Sequence, residues 1–285
     1  MPRIVYVNGR YVPWADASVH AEDRGFQFGD GVYEVIEVRD RALIDATRHL
    51  ERLARSLGEI QMEMPMPQAA LGHVFRETVR RNRVTDGTLY LQVTRGARPR
   101  DFLFPDEATR QTVVCIARPS SRAASDARAA NGIAVKTLPD PRWARCDIKT
   151  VMLLPSSLAK EAAKAEGAKE AWFVDEAGFV TEGASSNAWI VDAGGRLRTR
   201  PVDSAILRGV TRTTLLDVIS RLGLEVVEAP FTVAEAKAAR EAFVTAATNI
   251  VTPVVAIDGT PVADGKPGGV SRRLRAAFHA VAERS

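Results

Sequence analysis

The first stretch of the chain alternates between apolar and polar positions with a period of two. The runs Ile4-Val5-Tyr6-Val7 and Arg10-Tyr11-Val12 flank Asn8-Gly9, a pair that favours the positive backbone angles of a tight turn, so a β-hairpin is expected. The segment 25–31 is rich in glycine and reads as a loop. Beyond it Val32, Ile36 and Val38 share one phase of a strand, a turn is expected at Asp40, and the strand pattern resumes over 41–44. The period then lengthens. Thr47 reads as a helix N-cap, and Leu50, Leu53, Ala54 and Leu57 form an apolar stripe that leaves Arg52 on the solvent side. A helix near 67–81 and strands at 89–94 and 112–117 complete a first half of mixed helices and strands.

Small polar residues and Pro119 follow, and they read as an exposed connection. The expected organisation is an N-terminal α+β domain over 1–119, a linker over 120–131 and a C-terminal α+β domain over 132–285. In the second half, strand patterns at 133–137, 170–174, 188–191 and 241–245 are interspersed with helical patterns near 157–166, 211–222, 233–239 and 271–283. The spacing has no regular strand-helix-strand repeat, which disfavours a doubly wound sheet.

Composition narrows the function classes. With 285 residues and 46% hydrophobic content the chain can bury sizeable cores. No apolar run is long enough to span a membrane, and the N-terminus lacks a signal-peptide pattern, so a cytoplasmic protein without membrane attachment is expected. Two cysteines, Cys115 and Cys146, are too few for a disulfide framework, and four dispersed histidines do not suggest a metal site. The net charge of +4 comes from arginines interleaved with acids. That pattern argues for solvated helix faces over a nucleic-acid-binding module, the non-enzymatic alternative.

Three segments carry possible chemistry. In Arg208-Gly209-Val210-Thr211 a glycine and a hydroxyl residue open an apolar helix, and such a start can bind an anion through its backbone N–H groups and dipole, although threonine-capped helices are common. The cluster Thr245-Ala246-Ala247-Thr248-Asn249 could add donors, and Glu182 stands in a segment read as a loop after a turn at 175–178. Lys149 is bracketed by Ile148 and by Val151, Met152, Leu153 and Leu154. A desolvated amine is a candidate nucleophile for Schiff-base chemistry, and a lysine snorkelling to water is the alternative.

The strings Arg142-Trp143-x-Arg145-Cys146-Asp147-Ile148-Lys149, Thr181-Glu182-Gly183-x-Ser185-Ser186-Asn187 and Ile206-Leu207-x-Gly209-Val210-Thr211-Arg212 resemble the fold type IV aminotransferases, a family that includes D-amino acid transaminases, branched-chain aminotransferases and aminodeoxychorismate lyases. The resemblance covers essentially the whole chain. It implies a two-domain α+β architecture and pyridoxal 5'-phosphate as cofactor. Lys149 would be the catalytic residue, joined to the cofactor as a Schiff base and later moving a proton, and Glu182 would pair with the pyridine nitrogen. Arg52, Val210, Thr211 and Thr248 would hold the phosphate, with Ala247 standing where some relatives have a hydroxyl, and Leu207 would pack on the ring.

Val32-Tyr33-Glu34-Val35 and Tyr90-Leu91-Gln92-Val93-Thr94-Arg95-Gly96 are similar to the D-amino acid transaminase pattern, which implies substrate contacts from Tyr33 and Val35. Arg100 matches an arginine that reaches the partner subunit's active site, while Phe102 stands where a histidine belongs. The expected reaction moves an amino group between a D-amino acid and a 2-oxo acid, 2-oxoglutarate or pyruvate, in a homodimer. Branched-chain or (R)-amine transamination and aminodeoxychorismate cleavage are the alternatives within the family.

Overall fold

The computed structural model describes residues 3–105 and 109–285. By its contacts the chain divides into two units. The first runs to Ser121 and also takes in Ile148–Met152 and Glu283–Ser285, and the second comprises Arg122–Asp147 and Leu153–Ala282.

The first unit opens with the expected hairpin, β1 (Ile4–Val7) and β2 (Arg10–Pro13), with Asn8 and Gly9 at positive φ. The glycine-rich segment read as a loop contains a short helix, α1 (Arg24–Phe28). Asp23 caps it by accepting a hydrogen bond from the Gly25 N–H, and Gly29 ends it at φ 69°. Next come β3 (Gly31–Arg39), β4 (Ala42–Leu43), α2 (Ala46–Glu59), α3 (Gln68–Arg81), β5 (Gly87–Thr94) and β6 (Thr112–Pro119). The sheet order is β2-β1-β6-β5-β3-β4, antiparallel throughout.

One face of this sheet buries Val32, Ile36, Leu89, Leu91 and Val93 in a core shared with Leu50, Leu53, Leu57, Leu71 and Phe75 of the two long helices. The apolar stripe of α2 is therefore the core stripe that the sequence suggests. Its start differs from the expectation. The helix begins after Asp45, and Thr47 is not its cap. Instead the Thr47 N–H and hydroxyl both donate to the carboxylate of Glu283, at 3.1 and 2.8 Å. An acceptor 236 positions away takes the role that a local side chain usually fills.

The second unit contains α4 (Arg122–Asn131), β7 (Ile133–Pro139), α5 (Leu154–Ala165), β8 (Glu170–Val174), β9 (Val180–Gly183), β10 (Asn187–Val191), β11 (Leu197–Thr199), α6 (Val210–Arg221), β12 (Val226–Glu228), α7 (Val233–Lys237), β13 (Glu241–Ala246), β14 (Ile250–Ile257), β15 (Thr260–Pro261) and α8 (Gly269–Phe278). The segment read as a linker over 120–131 thus carries a helix. Ala129 is buried, and Arg275 of α8 donates to Ser125 and Asp126 at 3.1 and 2.9 Å, which ties α4 into this unit.

The sheet of the second unit is mixed, in the order β12-β11-β10-β13-β14-β7-β8-β9 with β15 beside β14. Its parallel pairs are β7 with β8, β7 with β14, and β11 with β12. Trp189 and Phe243 stack in register on neighbouring strands with ring centres 5.6 Å apart. Glu182, expected in a loop, sits on β9, and β14 is a further strand that the apolar pattern did not single out. Among the described residues no helix is long and apolar enough to cross a membrane.

Candidate active site

In the first unit the chemistry gathers around β3. The segment 148–152 lies along the start of this strand. The Tyr33 N–H donates to the Lys149 carbonyl at 3.0 Å, the Val151 N–H donates to the Gly31 carbonyl at 3.1 Å, and Val32 and Thr150 form a β-bridge. This pairing fixes the backbone of Lys149 and sends its amine over the Tyr33 ring, 4.2 Å from the centroid. Ile148 is buried, but Met152, Leu153 and Leu154 are exposed, so the apolar bracket around Lys149 in the sequence is only partly a buried one.

Side chains alternate across β3. Tyr33 and Val35 occupy the half-buried face, opposite Gln92 and Tyr90 respectively on β5. The Tyr33 and Tyr90 rings lie 5.8 Å apart, and the Tyr90 hydroxyl donates to Gln92 Oε1 at 2.6 Å. Burial pushes the Tyr90 hydroxyl up to about 12, so it remains a neutral donor.

Glu34, between these two residues, takes the core phase and is 1% exposed. Its carboxylate accepts from Arg52 Nε at 2.8 Å and Arg52 Nη2 at 2.7 Å, and His49 Nδ1 lies 2.7 Å from Glu34 Oε2. His49 and Arg52 are three residues apart on α2 and therefore share a face. Burial raises the Glu34 carboxyl, but the Arg52 charge and the hydrogen bonds from Arg52 and His49 win, and it is held at about 2. Burial moves His49 the other way, favouring the neutral ring, so its Nδ1–H donates to the carboxylate. Arg52, which the helical period alone places toward water, has a side chain only 10% exposed.

Arg100 is exposed, its guanidinium 5.0 Å from the Phe28 ring centre and 5.5 Å from that of Phe102. Phe102 itself is 79% exposed.

In the second unit the organising group is Glu182, buried on β9. It accepts from Arg142 Nη1 at 2.6 Å and Asn187 Nδ2 at 3.0 Å, and the Leu207 N–H is 3.2 Å from both carboxylate oxygens. Asn187 also donates to the Leu207 carbonyl at 2.9 Å, which joins the segment before α6 to β10. That segment ends at Gly209, where an added Cβ would collide with Asn187 Oδ1. Glycine leaves that amide in place, and it offers no side chain to cap α6.

Val210 and buried Thr211 therefore open a 12-residue helix whose N-terminus carries the favourable end of the dipole, a suitable cradle for a phosphate. Ala247 and exposed Thr248 lie in the turn between β13 and β14. The predicted residues thus fall into two sets. Lys149, Tyr33, Val35 and, through Glu34, Arg52 gather around β3 in the first unit, and Glu182, Leu207, Val210 and Thr211 share another locale in the second. Among the described residues no cluster of His, Cys, Asp and Glu is placed to hold a metal.

No sequence pattern marks Glu34, His49, Arg142 or Asn187 as functional. For Glu34 only the need for a partner is legible, since a carboxylate in phase with Val32, Ile36 and Val38 must find a cation when that face is buried. Arg142 and Asn187 stand in the quoted strings, but nothing in their spacing indicates that both address Glu182.

Residues 31–257 match the sequence pattern of the family described as amino-transferase class IV. The chain belongs to the class IV aminotransferases. As a class IV aminotransferase it is 40% identical over 280 residues to a D-alanine aminotransferase of Staphylococcus haemolyticus, covering 98% of each chain. In three dimensions it resembles the branched-chain amino acid aminotransferase of Escherichia coli, with TM-score 0.90 and 25% identity over 99% of this chain and 95% of that one. It also shares its fold with a hypothetical aminotransferase from Mycobacterium tuberculosis in its PLP-bound form, with TM-score 0.84 and 22% identity over 98% of each chain. The two-unit mixture of helices and strands is the fold of this family.

Proposed function

We propose that this class IV aminotransferase uses pyridoxal 5'-phosphate to transfer an amino group between a D-amino acid and a 2-oxo acid such as pyruvate or 2-oxoglutarate. The observation that carries the reading is the 40% identity, over 98% of both chains, to a D-alanine aminotransferase. The residues fit the cofactor. A glycine-started helix suits its phosphate, a carboxylate held ionised by an arginine suits its ring nitrogen, and a lysine amine above an aromatic ring suits its carbonyl.

When bound, the cofactor supplies an electron sink for the pair released at the substrate Cα. Lys149 would hold the cofactor through its Nζ, and the same amine would take the proton from the substrate Cα. Tyr33 sets the direction of that amine. Glu182 keeps the ring nitrogen protonated, and Leu207 packs against the ring. Arg52, oriented by Glu34, would serve the phosphate, and in the second unit Val210, Thr211 and the turn at Ala247 and Thr248 would offer it donors. Tyr33 and Val35 face the substrate.

In this reading Arg100 serves the substrate carboxylate of a partner subunit, so the working unit is a homodimer. Its free cysteines accord with a cytoplasmic setting. Phe102 favours a second reading, in which (R)-amines lacking a carboxylate are accepted, because an aromatic ring replaces a hydrogen-bond donor there. A panel of D-amino acids, L-amino acids and (R)-amines assayed with both oxo acids decides between them: D-alanine should give the highest kcat/KM, and activity confined to L-branched-chain substrates overturns the proposal.

A further inference from the structure

The segment that carries Arg100 leaves β5 after Thr94 and is laid against residues 22–24. Asp23 and Ala97 form a β-bridge, the Arg24 N–H donates to the Gly96 carbonyl at 2.9 Å, and the Arg98 N–H donates to the Glu22 carbonyl at 3.3 Å. The buried Asp23 carboxylate accepts from the Thr94 hydroxyl at 2.9 Å and from the Gly25 N–H at 2.8 Å. These bonds hold the segment on the near side of Arg100. Its far side is not held by burial, since Phe102, Leu103 and Phe104 are 79%, 76% and 52% exposed.

One side chain reaches that far side. Arg24, at the start of α1, is 3% exposed, and its Nη1 donates to the Asp101 carbonyl at 2.6 Å and to the Leu103 carbonyl at 3.2 Å. Its Nε turns the other way and donates to Asp30 at 2.7 Å. Asp30 also takes Arg95 in a two-pronged grip, from Nε at 2.8 Å and Nη2 at 3.0 Å, and Arg95 in turn donates to the carbonyls of Ile60 and Gln61 just beyond α2, at 2.6 and 3.3 Å. The Phe104 ring closes over Arg95, its centre 3.7 Å from the guanidinium carbon. Arg24 therefore holds the segment on both sides of Arg100, by its backbone at Gly96 and by its guanidinium at Asp101 and Leu103, and it is itself fastened to the body of the first unit through Asp30.

We propose that Arg24 is the clamp that keeps the Arg100 segment in its working conformation, and so is a positioning residue for recognition of the substrate carboxylate. It acts through Arg100. An exposed segment without such a hold would have to lose its backbone freedom each time a carboxylate binds, and that cost would appear as weaker substrate binding. The clamp needs arginine: one end of the side chain meets Asp30 while the other spans two carbonyls, and a single ammonium group cannot do both. The inference rests on the reading that Arg100 serves the substrate carboxylate.

The test measures steady-state kinetics of the holoenzyme on D-alanine for Arg24→Met and Arg24→Lys, each alone and combined with Arg100→Ala. Asp30 keeps Arg95 in both variants, and Arg24→Lys retains a cation beside Asp30 should the methionine variant not fold. Each single variant should raise the KM for D-alanine about tenfold, and no further than Arg100→Ala does, with kcat nearly unchanged. In the Arg100→Ala background neither should raise it further, because the clamp then has no guanidinium to present. A merely structural role predicts a fall in kcat and a loss that persists in that background. Either of those results, or a wild-type KM in Arg24→Lys, overturns the inference alone. An Arg100→Ala enzyme with an unchanged KM overturns the reading of Arg100 and the inference with it.

Discussion

Glu34 grips Arg52 with both carboxylate oxygens, at 2.8 and 2.7 Å, from the buried face of a strand whose opposite face carries Tyr33. One strand thus serves two parts of the site, and the pleat separates them. An isolated carboxylate on that face would be strongly unfavourable, so removing either member of the pair leaves an uncompensated buried charge or donor.

Stability should therefore depend on acid through this pair. The Glu34 carboxyl is held at about 2 in the folded chain against an ordinary 4.5, so it stabilises the fold above 4.5 and that contribution is lost as the pH falls toward 2. His49 acts in the same direction, because its neutral form is favoured by folding and protonation below its ordinary value opposes the fold. Urea denaturation at pH 7 and pH 3 should show Glu34→Gln destabilised by about 3 to 5 kcal/mol at pH 7 and by clearly less at pH 3. An equal loss at both values would mean that the pair does not carry the pH dependence.

Lys149→Ala should yield no borohydride-stable cofactor adduct. Peptide mass spectrometry after reduction checks this. Stoichiometric labelling of another lysine would remove Lys149 from its assigned place.

Gly209→Ala should weaken the cofactor's phosphate hold. The new methyl group displaces the Asn187 amide, which in turn supports Glu182 and Leu207. Losing one charge-assisted hydrogen bond costs about 1.5 to 3 kcal/mol, or roughly ten- to a hundredfold in cofactor Kd. Equilibrium dialysis of the cofactor measures it, and an unchanged Kd would show that the start of α6 is not where the phosphate binds.

Arg100→Ala should raise the KM for D-alanine by at least about tenfold while leaving that for (R)-1-phenylethylamine nearly unchanged, since only the amino acid offers a carboxylate to the guanidinium. Phe102→His should lower the KM for D-alanine. Steady-state kinetics on both substrates checks both variants, and equal effects on the two substrates would assign Arg100 a structural role.

The sequence by itself determined the local features of this protein. The Asn8-Gly9 turn, the alternation of β3 and the apolar stripe of α2 follow from short-range periodicity, and three ordered strings pointed to the family and to Lys149, Glu182 and Thr211. Tertiary structure decided whatever depends on partners distant in the chain. Thr47 donates to Glu283 instead of capping its helix, Arg52 turns inward because Glu34 waits on another element, and the short segment around Lys149 leaves the second unit to pair with β3. A linear pattern records the period of a side chain but not what stands opposite it. Burial of a charge is settled by that opposite partner, which is why Glu34 and Arg142 find their ionic partners only in the folded chain.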